Sequence, residues 1–318
     1  MTSGSVRSFD YTIGARMLLG IATGDSYGAP FENRPYTEIQ ELLHTRGFIS
    51  GRYTDDTQQA LALAELMASG ESFTRERIAQ SFLTAYHRDP RSGYSKVTKK
   101  MLSSPDPDSF LSGISQEDRL ERKTDGAAMR ALPIGFFPDR NEVIRNSILS
   151  AAVTHGHPDA IAATVAVALI AHEKIYHNTS WDIVWNRIRD AVGEINPEII
   201  SYCDRCARLT VPDRTIILEE HAGYGVPFTE SRIFLGSILA LLLCFGDEPY
   251  RLLTESVLLG GDTDTVAAVA LGASLIIGED NRVWNLISGL EEGPYGKEFL
   301  IKTGDRLSAH FPARGGLK

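Results

Sequence analysis

The chain has 318 residues, 43% of them apolar and 23% charged, with a formal net charge of −9. That length buries a sizeable core in one large domain or two small ones, and the negative balance argues against nucleic acid as a partner, because phosphate binding needs a basic stripe. Three cysteines make no disulfide framework, and CDRC at 203–206 is half of a zinc site with no second pair at finger spacing, so a reducing cytoplasm is the expected compartment.

MTSGSVRSFD, residues 1–10, is polar and lacks the apolar stretch of a signal peptide. It reads as an N-terminal tail ahead of one domain over 11–318. From Ile13, IGARMLLGIATGDSYGA spaces Ala, Leu and Gly as a tightly packed helix does. TDDTQQALALAELMAS from Thr54, and the segment from Arg75 to Tyr86, are the next helices. SSPDPDSF (103–110) and PIGFFPDRN (133–141) read as loops. HPDAIAATVAVALIAHEKIY from His157 is apolar on most faces, which predicts a central helix. SWDIVWNRIRDAV is amphipathic, with Ser180 as its N-cap. After a loop HAGYGVPF (221–228), helices follow over Ser231–Phe245, Tyr250–Leu259 and Thr263–Ile277, and GLEEGPYG (289–296) is again a loop. IFLGSILALLLCF, from Ile233, is too short to span a bilayer, so no membrane is expected. Strand signals are scarce and no long linker separates domains. The fold class is all-α, a single domain with on the order of ten helices or more.

Two of these helices open on acids. Asp55 and Asp56 stand between Thr54 and Thr57, and Asp262 and Asp264 lead LLGGDTDTVAAVALGASLIIG (258–278) into a run with no polar face. A cap and the helix dipole account for the first pair taken alone. They do not account for carboxylates entering a buried helix with no Lys or Arg beside them, since unpaired buried carboxylates are costly and protonate. A shared cation answers both openings. Carboxylates and hydroxyls are hard oxygen ligands that suit Mg²⁺, Mn²⁺ or Ca²⁺. Adjacent aspartates on a helix point about 100° apart, so Asp55 and Asp56 can grip two ions or an ion and a water. The four aspartates can neutralise two divalent cations about 3.5–4 Å apart, with Asp264 placed to bridge. Upstream, in GIATGDSYGAPFENRP (20–35), Asp25 suits capping or helix packing at least as well as catalysis. Glu32 is the stronger functional candidate there, and Gly24 and Gly28 permit close backbone approach.

GDSYGAPFE (24–32), YTDDTQQALALAE (53–65), DGAAMRALPIG (125–135) and GGDTDTVAAVALGA (260–273), with THGHPDAIAA (154–163) as a weaker match, follow one another as in a known family. The chain resembles the ADP-ribosylglycohydrolases, including the dinitrogenase reductase-activating glycohydrolase type. The resemblance implies a compact orthogonal helical bundle with two Mg²⁺ or Mn²⁺ ions in a cleft. Thr54, Asp55 and Asp56 match ligands from one side; Asp262, Asp264 and Thr265 match ligands from the other. Glu32 matches a glutamate beside the metals that orients water, so Glu32, Asp55 and Asp56 are the implied catalytic residues.

The implied reaction is hydrolysis at C1″ of ADP-ribose carried by a protein side chain, arginine first, with serine-linked and O-acetyl-ADP-ribose as alternatives. Gly126, Ala127, Ala128 and Met129, at an expected helix start, would cradle the pyrophosphate with free N–H groups. Arg130 would meet a phosphate or pair with an acid. His155 would face the adenosine end, and Tyr224 and Val226 would line the adenine. Two departures stand out. In DPRSGYSKVTKKML (89–102), Ser92 precedes Gly93 where many arginine-specific bacterial members carry Asp-Ile-Gly, leaving Asp89 as a nearby substitute. Asp125 replaces the family's usual Asn and is expected to turn away to cap the helix. The alternative function is an immunity protein that occludes a cognate ADP-ribosyltransferase, reaching it through residues 1–10.

Overall fold

Glycine sets the centre of the fold. In the helix Ile13–Gly28, a Cβ on Gly20 would lie 2.8 Å from the Leu271 carbonyl oxygen, on Gly24 2.1 Å from that of Ala267, and on Gly28 2.6 Å from that of Thr263. As one partner number rises the other falls, so this helix runs antiparallel to the helix Thr263–Ser274 with the two backbones in direct contact. Every residue of Thr263–Ser274 is buried, as its lack of a polar face predicts. The helix Lys297–His310 closes on the other end of the first helix, where a Cβ on Gly14 would meet the Gly304 carbonyl oxygen at 2.3 Å.

A computed structural model describes residues 11–48, 51–221 and 223–313. The tail expected over 1–10, and with it the reach toward a transferase, lies outside the described residues. Among those described are seventeen α-helices, five short 3-10 turns and no β-strand. The helix Pro158–His177 packs against Arg140–Ala152, Trp181–Ile195 and Ser231–Phe245, which is the central position its apolar faces predict. No helix among the described residues is long and apolar enough to cross a membrane.

Local chemistry corrects several sequence expectations. The stretch 103–110 is not all loop: Asp106 Oδ1 accepts from Ser109 N at 2.8 Å and, with Pro107 at the first position, starts the helix Pro107–Ser112. Residues 133–141 likewise hold the buried 3-10 turn Leu132–Phe136 and the start of Arg140–Ala152, capped by Asp139. Ser180 sits at the N-cap of Trp181–Ile195, but its hydroxyl donates to Asp182 and bonds no backbone N–H.

Candidate metal centre and substrate cavity

The helix Asp55–Ser69 is capped from another helix. Thr54 occupies its N-cap position but makes no side-chain cap bond; its hydroxyl donates to Asp56 Oδ2 at 3.3 Å. The cap is Asp25, 29 residues earlier, whose carboxylate accepts from the N–H groups of Thr54 (2.8 Å) and Thr57 (3.1 Å) and from the Thr57 hydroxyl (2.6 Å). Asp25 follows Gly24 directly, so the glycine-mediated contact of the two central helices also delivers its carboxylate beside Asp264. Oxygens of Asp25, Asp56 and Asp264 lie within 4.8 Å of one another. Asp25 is therefore both cap and member of the acidic cluster.

The second acidic opening depends on a turn that requires glycine. Gly260 and Gly261 adopt φ of 75° and 74°, and a Cβ on Gly261 would sit 2.2 Å from the Val226 carbonyl oxygen. Only glycine adopts this conformation without strain. Val226 N donates to Gly260 O at 3.0 Å and Asp262 N donates to Val226 O at 2.8 Å, a parallel bridge that fixes the start of Thr263–Ser274. Asp262 and Asp264 are thereby aimed at the same floor as Asp55 and Asp56.

The floor fits a divalent cation. Asp56 Oδ1 is buried with no hydrogen-bond partner among the described residues. None of Asp25, Asp55, Asp56, Asp125, Asp262, Asp264 or Glu32 forms an ion pair there. Burial, then the neighbouring Asp264 charge, pushes the Asp25 carboxyl up to about 7 even against the Thr54 and Thr57 hydrogen bonds. Burial and the same crowd of carboxylates push Asp55, Asp56 and Asp262 well above the usual range. Mutual repulsion and an orphaned oxygen among hard oxygen donors are what a bound divalent cation would relieve.

A cavity of about 830 Å³ opens above this floor, large enough for a nucleotide-sized ligand. Glu32, Asp55, Asp56, Asp262, Asp264 and Thr265 line it. Thr54 is buried behind the floor. Gly93, with φ of 96°, presses on Asp55 so closely that a Cβ there would lie 1.7 Å from Asp55 Oδ1. Burial and Asp264 raise the Glu32 carboxyl, while its bond from Asn33 opposes the shift.

Gly126, Met129 and His155 also line the cavity, whereas Ala127 and Ala128 are buried away from it. The expected helix start at 126–129 is the three-residue 3-10 turn Asp125–Ala127, and the Ala128 and Met129 N–H groups already donate to Asp125 O. Arg130 neither pairs with an acid nor offers its terminal nitrogens to a ligand. Buried at the cavity lining, it donates to Gln59, Gly126 O, Ser150 O and Thr154, tying its own turn to the helix Asp55–Ser69 and to the end of Arg140–Ala152. His155 bonds Thr154 through Nδ1 and Thr124 through Nε2, and burial followed by the charges of Arg122 and Arg130 keeps it neutral. Tyr224 is 85% exposed and Val226 fully buried in the bridge, so neither lines the cavity. Phe228, in the same loop and 57% exposed, does line it. Asp89 is held by Arg52 and Arg91 and lies off the cavity. Asp125 does not turn away: it lines the cavity with Oδ2 buried and unpartnered, and burial drives it up to about 8 despite its contact with Asp262.

A family model described as ADP-ribosylglycohydrolase matches residues 13–283. ADP-ribosylhydrolase ARH3 of Xenopus tropicalis is 28% identical over 293 residues, covering 80% of this chain and 83% of its own. The human ARH3 is 28% identical over 273 residues, covering 76% and 72%. A solved structure titled an ADP-ribosylglycohydrolase-related protein complex superposes with a TM-score of 0.61 at 20% identity, covering 94% of this chain and 98% of that one, which supports the shared fold. The two acidic helix openings, the glycine turn and the motif order all fall inside the matched span, and the chain belongs to the ADP-ribosylglycohydrolase family.

Proposed function

We propose that the protein is a metal-dependent hydrolase that cleaves the C1″ glycosidic bond of ADP-ribose attached to an acceptor, most simply a protein side chain. One observation carries the reading: carboxylates from three separate parts of the chain converge within 4.8 Å, Asp56 and Asp264 on the floor of a nucleotide-sized cavity and Asp25 buried directly behind it. Asp55, Asp56, Asp262, Asp264 and Thr265 would hold two Mg²⁺ or Mn²⁺ ions, with Asp25 joining them or orienting them as the cap behind. When bound, such ions supply charge neutralisation and an activated water at neutral pH.

The chain's own residues do the rest. Glu32 faces the floor with a raised carboxyl, suited to accept a proton from water and return it to the leaving acceptor. Neutral His155 presents no charge to the ligand. Phe228 offers an aromatic face at the mouth, the role expected of Tyr224 and Val226.

Arginine is the acceptor the resemblance favours; serine-linked and O-acetyl-ADP-ribose are to be compared with it. The test is to incubate each of the three with the protein and Mg²⁺ or Mn²⁺ and to follow released ADP-ribose. Release from at least one is expected, and EDTA or Asp56→Ala should abolish it. Release that survives both treatments, or none from any substrate, overturns the reading. Glu32→Gln should lower kcat by about 10²–10⁴-fold, the usual worth of a general acid–base group, and leave Mn²⁺ affinity within about twofold.

A further inference from the structure

The carboxylates of the floor are not held alike. Asp25 accepts from Thr54 and Thr57, Asp56 from the Thr54 hydroxyl, and Asp264 from Thr265 N. From the other described residues the Asp55 side chain accepts only one long bond, from Gln59 Nε2 at 3.5 Å. Asp25 and Asp264 repel it, so an unrestrained Asp55 would swing out into the cavity. Backbone blocks that path. The segment 89–95, between the helices Arg75–Arg88 and Lys96–Leu102, crosses the start of Asp55–Ser69. Ser92 O accepts from Asp55 N at 3.1 Å, and Gly93 lies against Asp55 Oδ1.

The segment is itself pinned. Gln58 brackets it, donating to Asp89 O at 2.7 Å and accepting from the Tyr94 hydroxyl at 2.8 Å. Between those points the buried Arg91 donates through Nε to Asp89 Oδ2 at 2.7 Å and through Nη1 to Glu291, and stacks on the Tyr53 ring at 3.6 Å. Arg52 joins the same two acids, each at 3.1 Å. Both backbone groups of Tyr53 are tied in, its N–H to Glu291 and its carbonyl to Arg91, each at 3.3 Å. Two arginines thus face two carboxylates, two residues before Asp55 and one before Ser92. Arg91 does not line the cavity, and Glu291 lies beyond the residues 13–283 that the family model matches. We propose that Arg91, clamped between Asp89 and Glu291, is a positioning residue that acts through Ser92 and Gly93 to hold the Asp55 carboxylate where a divalent cation meets it. A guanidinium fork fixed by two different acids cannot turn, which makes it a rigid anchor for the segment, and groups behind a metal ligand set its orientation. The inference rests on the metal-dependent reading for what Asp55 binds.

The test compares wild type, Arg91→Lys, Glu291→Gln and a control, Glu65→Gln. The control breaks another partly buried arginine–carboxylate pair between the same two helices, that of Arg88, without touching Arg91. Two quantities are read: exchange of the Asp55 amide hydrogen in EDTA, relative to the amides of Thr263–Ser274, and Mn²⁺ affinity by titration. Arg91→Lys keeps the charge but loses the fork, and should speed Asp55 exchange and weaken Mn²⁺ by about tenfold or more each, the usual worth of a group behind a metal ligand. Glu291→Gln should move both the same way by a smaller factor, about threefold or more, and Glu65→Gln should leave both within about twofold. If Arg91→Lys does not fold, Glu291→Gln decides alone. Unchanged Asp55 exchange or unchanged Mn²⁺ affinity in the Arg91 and Glu291 variants, or an equal loss in Glu65→Gln, overturns the proposal. Faster Asp55 exchange in those two variants alone, with a wild type that binds no Mn²⁺, leaves Arg91 as the residue that positions Asp55 and removes the metal reading instead.

Discussion

Asp264→Asn is expected to lower hydrolysis by about a hundredfold or more, the scale of losing several kcal/mol of charge stabilisation, and yet to raise the melting temperature of the metal-free protein. The two effects share a cause. Asp264 sits where the central helices meet, and it is the leading neighbouring charge that pushes up Asp25, Asp56 and Glu32. With metal bound, its carboxylate offsets cation charge. Without metal it repels its neighbours, and asparagine keeps the shape and the acceptor for Thr265 N without the charge. The check is the melting temperature of wild type and variant in EDTA and in saturating Mn²⁺. The wild type should gain from Mn²⁺ much more than the variant does. A variant less stable than wild type in EDTA would mean that Asp264 acts through packing rather than charge.

The same cluster sets a pH dependence. The Asp25 carboxyl lies at about 7 and that of Asp125 at about 8 in the folded metal-free protein, against 3.8 for a free aspartate. Between those limits the folded state holds more protons than the unfolded chain, so stability falls with rising pH. This contribution is full below about pH 4 and is lost by about pH 8. In EDTA the melting temperature should therefore drop between pH 5 and pH 8, and Mn²⁺ should remove the drop. A melting temperature that rises over that range in EDTA contradicts the cluster's electrostatics.

What the sequence disclosed follows from which interactions are local. Asp55, Asp56, Asp262 and Asp264 were legible because an acid entering an apolar helix is anomalous within its own few residues. Asp25 was legible only as a cap or packing residue, since the N-cap position it serves, Thr54, lies 29 residues later and only the tertiary contact brings it to the floor. Tyr224 and Val226 were chosen as loop residues of the right chemistry. The loop's backbone is committed to bridging Gly260 and Asp262, which buries Val226 and turns Tyr224 to solvent, leaving Phe228 at the cavity. Arg130 looked like an anion ligand because three of its four partners, Gln59, Ser150 and Thr154, lie 20 to 71 residues away in sequence.

Gly24→Ala should destabilise the protein by about 3 kcal/mol or more, at the upper end of overpacking effects. Two terms oppose each other. Alanine in a helix interior is favoured over glycine by about 0.5–1 kcal/mol, which alone would stabilise the variant. Against it, the new methyl carbon would lie 2.1 Å from the Ala267 carbonyl oxygen and 2.5 Å from Ala268 N, all backbone atoms of a wholly buried helix. No rotamer change relieves that contact, so the helices must separate, and the clash exceeds the propensity gain. Separation also withdraws Asp25 from Asp264, so Mn²⁺ affinity should fall with stability although no ligand has been replaced. Gly223→Ala is the comparison: nothing lies within 4 Å of its would-be Cβ, and it should change stability by less than about 0.5 kcal/mol, as surface substitutions do. Denaturant midpoints and Mn²⁺ titrations of the two variants test this. A Gly24→Ala protein as stable as Gly223→Ala would show that the central helices can slide apart without loss, and then the glycine spacing is not what holds the two halves of the metal floor together.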